Sequence, residues 1–175
     1  MKWSCNMFDD ITLHIIGIIN TYLQSIGFDT KMLGYANIEM YPDKKELGIS
    51  FAPVEKEDST GIRYVILIYP HFDSTISVVR NTLEALLKQN SPRTANFNNV
   101  LSKDDEYLFI FAFMHEIGHI QHIIELNVDD KTFFNPLTGL NSNPQNNLYY
   151  EKYADQFSLN HIDERYNRLI QTELF

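Results

Sequence analysis

The 175-residue chain has a single cysteine, Cys5, and few basic residues. One cysteine cannot form an internal disulfide, which excludes a small disulfide-stapled secreted protein and favours a reducing, cytoplasmic location. The 14 lysine and arginine residues are outnumbered by 23 acidic residues, so the net charge is −9. Because nucleic-acid binding needs a surface that neutralises phosphates, this charge predicts no nucleic-acid partner.

Long apolar runs are also missing. A membrane-spanning helix needs roughly 20 apolar residues, whereas the densest apolar stretch, from Leu108 to Met114, runs directly into His115. The apolar positions near the start of the chain follow Asp9 and Asp10, where a signal peptide would carry positive charge. The sequence therefore predicts neither a membrane span nor an export signal.

The chain does contain enough apolar material for one globular domain. Hydrophobic residues make up 44% of the sequence and aromatic residues 13%, more than a disordered chain would carry. A length of 175 residues is typical of a single domain. We therefore expect residues 1–175 to fold as one domain.

Sequence patterns divide the chain into helices, strands and loops. Four helices are predicted over 11–26, 76–89, 104–126 and 147–170, the third with Ser102 and Asp105 spaced as a weak capping box. Three strands, rich in β-branched and aromatic residues, are predicted over 33–40, 46–54 and 62–69. Asn-rich stretches predict loops over 90–99 and 127–147. This order of elements favours an α+β domain with a small three-stranded sheet.

The residues that indicate chemistry are His115-Glu116-Ile117-Gly118-His119. Positions i and i+4 of a helix lie one turn apart on the same face, so both imidazoles can reach one metal ion at about 2.0–2.1 Å. Glu116 lies about 100° around the helix from His115, where it can approach a water at the metal without binding the metal. This is the H-E-x-x-H arrangement of zinc metallopeptidases, in which Glu116 would act as the catalytic base.

A coincidental arrangement of two histidines and a glutamate is the alternative. It is less favourable because the motif interrupts an apolar helix that should be buried. Several polar groups placed there without a metal would need other partners. The pattern therefore favours a metal site.

A catalytic zinc ion usually takes a third protein ligand. His122 lies on the same face as His119, but three ligands from one straight helix converge poorly on a tetrahedral ion. Glu125 lies ten residues beyond His115, about 15 Å along the helix axis, and cannot reach. The third ligand should therefore come from another element.

The best candidate is Glu151, which stands one helical turn before Asp155 in the predicted last helix. Glu151 can complete the ligand set, and Asp155 can accept a hydrogen bond from a ligating histidine and so orient its ring. His122 and His161 remain alternatives for the third ligand.

These motifs resemble those of a known family. An HExxH motif followed by a helical E-x-x-x-D is similar to the gluzincin pattern. His115–His119 and the segment Glu151-Lys152-Tyr153-Ala154-Asp155-Gln156-Phe157 resemble the two motifs of ImmA/IrrE metallopeptidases, which are small bacterial and phage proteins. Relative to that family, residues 71–103 look like an insertion.

The resemblance implies a zincin-like fold and one Zn²⁺ ion on His115, His119 and Glu151. It also implies that Glu116 is the catalytic carboxylate and that Asp155 lies behind a ligating histidine. The expected function is that of a zinc-dependent endopeptidase acting on a protein, for example a bacterial or phage regulator. The alternative is a non-catalytic zinc-binding module that binds a partner, but such a module would not need Glu116 as a general base.

Two features of substrate binding stay open at the level of sequence. An extended substrate would pair with an exposed edge of the sheet, for which the strand at 62–69 is a candidate. Thermolysin-like enzymes also use a Tyr or His to stabilise the oxyanion. Five residues could do so, namely His71, His122, Tyr149, Tyr150 and His161.

Overall fold

A computed structural model describes residues 8–41, 43–44, 48–54, 61–93, 95–127 and 144–172. Within these ranges the fold is α+β, as predicted, with five helices and one three-stranded sheet. The helices are α1 (Asp10–Ser25), α2 (Phe72–Lys88), α3 (Phe97–Leu101), α4 (Asp105–Leu126) and α5 (Pro144–Thr172). The strands are β1 (Leu33–Asn37), β2 (Ile49–Pro53) and β3 (Tyr64–Ile68). None of the helices in the described ranges is both long and apolar enough to cross a membrane.

The sheet order corrects one prediction. The strands are arranged β1-β3-β2, with β1 parallel and β2 antiparallel to β3. The strand predicted at 62–69 is therefore central, and the prediction that it offers an exposed edge is wrong. All five residues of β3 are buried, as expected for a strand paired on both sides. Among the described strands, β2 is the edge strand that packs against α4.

The helix boundaries differ from the predicted ones where polar residues begin a helix. The predicted loop over 90–99 is wrong at its end, because Asn96 accepts a hydrogen bond from the Asn99 N–H at 3.2 Å and starts α3. Helix α4 is capped by Asp104, which accepts from the Tyr107 N–H at 2.8 Å, rather than by the predicted capping box. Helix α2 begins at Phe72, four residues earlier than predicted.

Helix α5 also begins earlier than predicted, at Pro144. Proline is well suited to a first helical turn, because the N–H group that it lacks would have no partner inside the helix. The rest of the loop predicted over 127–147 lies mainly at 128–143, outside the described residues.

Asp9 connects the starts of two helices. Its carboxylate accepts hydrogen bonds from the Thr12 N–H at 2.9 Å, which caps α1, and from the Phe72 N–H at 2.8 Å, in the first turn of α2. Burial raises the pKa of Asp9, but these hydrogen bonds and the nearby His71 outweigh burial and hold it below the ordinary aspartate value. The ionised carboxylate therefore stabilises the folded state.

We expect Asp9→Ala to lower the free energy of unfolding by about 1–2 kcal/mol, the typical cost of losing a helix cap. The pKa of Asp9 is lower in the folded protein than in the unfolded chain. The stabilisation of the fold by its carboxylate is therefore present above the unfolded-state pKa and is lost as pH falls through the folded-state pKa. Urea unfolding at about pH 7 and about pH 3 would measure this, with a smaller difference between variant and wild type at the lower pH. Asp10→Ala is the control and should cost only a few tenths of a kcal/mol. An equal loss at both pH values for Asp9→Ala would contradict a role for the charge.

The contact between α4 and α5 is close because small residues face each other. A Cβ atom added to Gly118 would lie 2.9 Å from the Cα of Ala154 and 3.1 Å from the Cβ of Phe157. Real Cβ atoms do not approach a neighbouring backbone so closely, so glycine is required at position 118 for this spacing. The close approach brings α5, with Glu151 and Asp155, against the HExxH segment of α4.

Candidate metal centre

Three side chains from α4 and α5 direct ligand atoms toward one point. His115 Nε2 lies 3.1 Å from His119 Nε2 and 3.4 Å from Glu151 Oε2, and His119 Nε2 lies 3.4 Å from Glu151 Oε1. A tetrahedral ion with bonds of 2.0–2.1 Å separates its ligand atoms by about 3.3 Å. These three residues could therefore hold a metal ion. They are the three that the sequence predicts as ligands.

Asp155 lies behind this group, where its predicted role requires it. Its side chain is fully buried, and its Oδ1 lies 3.0 Å from His115 Nδ1. This contact fixes the orientation of the ring, so that Nε2 faces His119 and Glu151. Burial lowers the pKa of His115, but Asp155 and Glu151 outweigh burial and raise it to about 9. A metal ion that binds His115 must therefore displace a proton.

The carboxylate of Glu151 is held in its ionised form. Burial raises its pKa, but the hydrogen bonds and charges of His115 and His119 lower it far below the ordinary value. Burial also raises the pKa of Asp155, and the hydrogen bonds of Arg93 and His115 more than reverse this effect. Both carboxylates are therefore available as acceptors at neutral pH.

Glu116 faces a cavity of about 300 Å³ that also contains the three candidate ligands. Burial raises the pKa of Glu116 above its ordinary value, although the nearby charges of His115 and His119 act in the opposite direction. A general base works best when its pKa lies close to the working pH. The raised pKa is therefore in the direction that suits a proton acceptor.

The rest of the cavity wall is supplied mainly by β2 and α2. From β2, the Phe51 ring stacks on the His119 ring with centroids 5.9 Å apart, and Ile49 and Ser50 continue the wall. From α2, Leu83 and Leu86 form part of an apolar side. The edge strand thus runs beside the candidate ligands, and an apolar surface lies next to them.

Arg93 also belongs to the site, although no sequence motif includes it. Its Nε donates to Asp155 Oδ2 at 2.8 Å, its Nη2 forms a shorter contact with Asp155 Oδ1, and its Nη1 lies 2.9 Å from Glu151 Oε2. The residue lies between α2 and α3, within the stretch interpreted as an insertion. A lone arginine in an Asn-rich segment has no fixed spacing to the HExxH motif, so no sequence signal could have identified it.

The other residues considered as ligands lie elsewhere. His122 is buried and stacks on Tyr153, with ring centroids 3.9 Å apart. The Nδ1 of His161 lies 2.8 Å from the hydroxyl of Tyr22. Glu125 accepts hydrogen bonds from Tyr153 and Gln121. None of these three candidates joins the ligand group that the described residues form.

The structure also separates the five residues considered for the oxyanion. Tyr150 is buried and contributes to the cavity wall. Tyr149 is exposed and packs against His122, while the exposed His71 lies 3.7 Å from Asp9. Of the five candidates, all of them described residues, Tyr150 is thus the one that reaches the site.

Comparison of the chain with protein-family models, curated proteins and solved structures gives no significant match. A function therefore has to be inferred from the site itself.

Proposed function

We propose that the protein is a zinc-dependent endopeptidase of the ImmA/IrrE type. The observation that carries this proposal is the position of Glu116 in a cavity shared with His115, His119 and Glu151. Two imidazoles and one carboxylate form the ligand set of several catalytic zinc sites, in which the fourth position stays open for water or substrate. Structural zinc sites are usually closed by four protein ligands, often cysteines, whereas the group formed by the described residues has three ligands and no thiolate.

The proposed mechanism assigns a separate task to each side chain. Zinc, when bound, supplies a Lewis acid that polarises a peptide carbonyl and acidifies water. Glu116 accepts a proton from the attacking water and later delivers it to the leaving amine. Asp155 keeps the His115 ring in place, and Tyr150, which lines the same cavity, is the candidate donor for the oxyanion.

An extended polypeptide is the substrate that suits the cavity. The edge strand β2 offers backbone groups for pairing with such a chain, and the apolar side formed by Leu83 and Leu86 can accept an apolar side chain. We propose a protein substrate and a cytoplasmic location, consistent with the single cysteine. A non-catalytic zinc module is the alternative, but it gives no reason to place an ionisable carboxylate such as Glu116 in the cavity beside the candidate ligands.

Glu151→Ala tests the proposed metal site directly. We expect wild-type protein to bind about one equivalent of zinc and the variant to bind it at least about a hundredfold more weakly, since even the groups behind a ligand contribute about 10- to 100-fold. Metal analysis after dialysis, chelator competition and cleavage of an unfolded protein such as casein would measure zinc binding and activity together.

Glu125→Ala is the matched control. It removes the same side chain from an exposed position of α4, outside the ligand group. Only the exposed hydrogen bonds from Gln121 and Tyr153 are lost, so zinc binding and activity should both stay intact. Wild-type zinc affinity in Glu151→Ala would contradict the proposed ligand set. Zinc binding by the wild type without cleavage of any unfolded protein or peptide library would favour the non-catalytic alternative.

A further inference from the structure

We propose that Arg93 is an internal cation that competes with the metal ion for its ligands, so that metal loading is coupled to displacement of the guanidinium. This inference rests on the proposed metal site but not on peptidase activity. It assigns to Arg93 a regulatory role, in which the arginine sets the free zinc concentration at which the site is filled.

The guanidinium contacts atoms that a metal ion would need. Arg93 Nη1 lies 2.9 Å from Glu151 Oε2, and Arg93 Nη2 lies against the His115 ring, 3.2 Å from Nδ1 and 3.4 Å from Nε2. Glu151 Oε2 and His115 Nε2 are also candidate metal-ligand atoms. A metal ion would need the lone pair of His115 Nε2 and an oxygen of Glu151, and the guanidinium lies against both groups. A dication bound to these atoms would also face the positive charge of Arg93 at short range.

The charge of Arg93 is permanent and firmly anchored. A guanidinium does not deprotonate in proteins, so proton loss cannot relieve its repulsion of a metal ion. Two hydrogen bonds to the buried Asp155 hold the group from one side, and its Cζ lies 5.4 Å from the centre of the Phe97 ring. The guanidinium can therefore move away from Glu151 while it stays paired with Asp155. This is the movement of Arg93 that metal binding requires.

Thermodynamic linkage gives the consequence. Without metal, Arg93 neutralises both Glu151 and Asp155, whereas with metal bound Glu151 has another cation as its partner. Arg93 thus stabilises the metal-free fold more than the metal-bound fold. A substitution that removes its charge must then tighten metal binding to the folded protein, even though the protein becomes less stable.

The experiment compares Arg93→Gln with wild type in zinc competition against a chelating indicator. We expect zinc to bind the variant about tenfold more tightly or better. The repulsion between unit charges a few Å apart near a protein surface is larger than the free energy that a tenfold change in affinity represents. Relative to wild type in the same metal state, the melting temperature should fall more for metal-free Arg93→Gln than for zinc-loaded Arg93→Gln. Arg93→Lys keeps the charge but cannot contact both carboxylates in the same way, so its zinc affinity should lie between the two.

Arg80→Gln is the matched control. Arg80 also pairs with a carboxylate, with its Nη2 2.6 Å from Asp105 Oδ1, but it lies outside the ligand group. This variant should keep the wild-type zinc affinity. If Arg93→Gln does not fold without metal, its zinc-loaded form can be challenged with excess chelator, and zinc release slower than from wild type is expected.

Two results would overturn the proposal. Zinc binding to Arg93→Gln that is equal to or weaker than wild type would make Arg93 a residue that orients the ligands instead of competing with the metal. Zinc release from Arg93→Gln that is as fast as from wild type, or faster, would lead to the same conclusion. Failure of the wild-type protein to bind zinc would instead contradict the proposed metal site itself, so the two failures are distinguishable.

Discussion

Glu116→Gln should strongly reduce peptide hydrolysis while leaving zinc bound. Glutamine has nearly the same shape as glutamate but cannot accept a proton from water, and general acid–base catalysis contributes about 10²- to 10⁴-fold to rate. We therefore expect kcat/KM to fall by about that factor. Zinc content should not change, because Glu116 is not one of the three ligands. Fluorogenic peptides cleaved by the wild type, assayed together with metal analysis, would provide both measurements.

The pH profile gives this test a second readout. Burial raises the pKa of Glu116, and proton acceptance needs the ionised form, so wild-type activity should fall on the acid side as Glu116 becomes protonated. Over the pH range in which zinc stays bound, the residual activity of Glu116→Gln should lack that acid limb. Glu125→Gln makes the same change on the same helix, outside the ligand group, and should keep wild-type activity. Undiminished cleavage by Glu116→Gln would show that another group is the base.

The parts of the site that could be predicted are those whose geometry a single helix fixes. His115 and His119 lie one turn apart because the helix repeat places them so, and the same repeat excludes Glu125 as a ligand by distance. The spacing of Glu151 and Asp155 likewise places both carboxylates on one face of α5. Which helix face meets the histidines depends on tertiary packing, and the spacing alone does not determine it; the expectation that a metal site needs a third ligand is what points to this face of α5.

The sheet order could have been predicted better from the sequence. The five residues of β3, Tyr64 to Ile68, form a continuous apolar run rather than an alternating one. Such a run indicates a strand buried on both faces, and this burial would have argued against an exposed edge there. The position of β2 at the edge of the sheet beside α4 depends on pairing between residues far apart in the chain. No local sequence pattern predicts that position.

Arg93 could not be predicted from a sequence motif. Its function, as we infer it, depends on contacts with Asp155 and Glu151, which follow it by 62 and 58 residues. No repeat or local spacing links positions so far apart on different elements. The segment interpreted as an insertion also contributes to the core, because Val79, Leu83 and Phe97 are buried there. A stretch that looks additional in sequence thus forms one wall of the cavity and supplies a charge to the site.

Gly118→Ala should destabilise the fold and weaken zinc binding together. The added methyl group would lie 2.9 Å from the Cα of Ala154, and a backbone atom in a helix cannot move aside as a flexible side chain can. Overpacking costs about 1–3 kcal/mol, and a contact as short as 2.9 Å with a backbone atom should cost more than the roughly 1 kcal/mol that alanine gains over glycine in a helix. Because relief requires α5 to shift, Glu151 moves with it, and we expect about tenfold weaker zinc binding. Urea unfolding and chelator competition would measure the two effects.

Gly17→Ala is the matched control for this prediction. Gly17 lies within α1, and a Cβ added there meets nothing within 4 Å. The same substitution should therefore stabilise the protein by about 0.5–1 kcal/mol through helix propensity alone, with no change in zinc affinity. Stabilisation of similar size at both glycines would mean that α4 and α5 do not need their close contact. Loss of stability at Gly118 without loss of zinc affinity would separate the packing of the two helices from the position of Glu151.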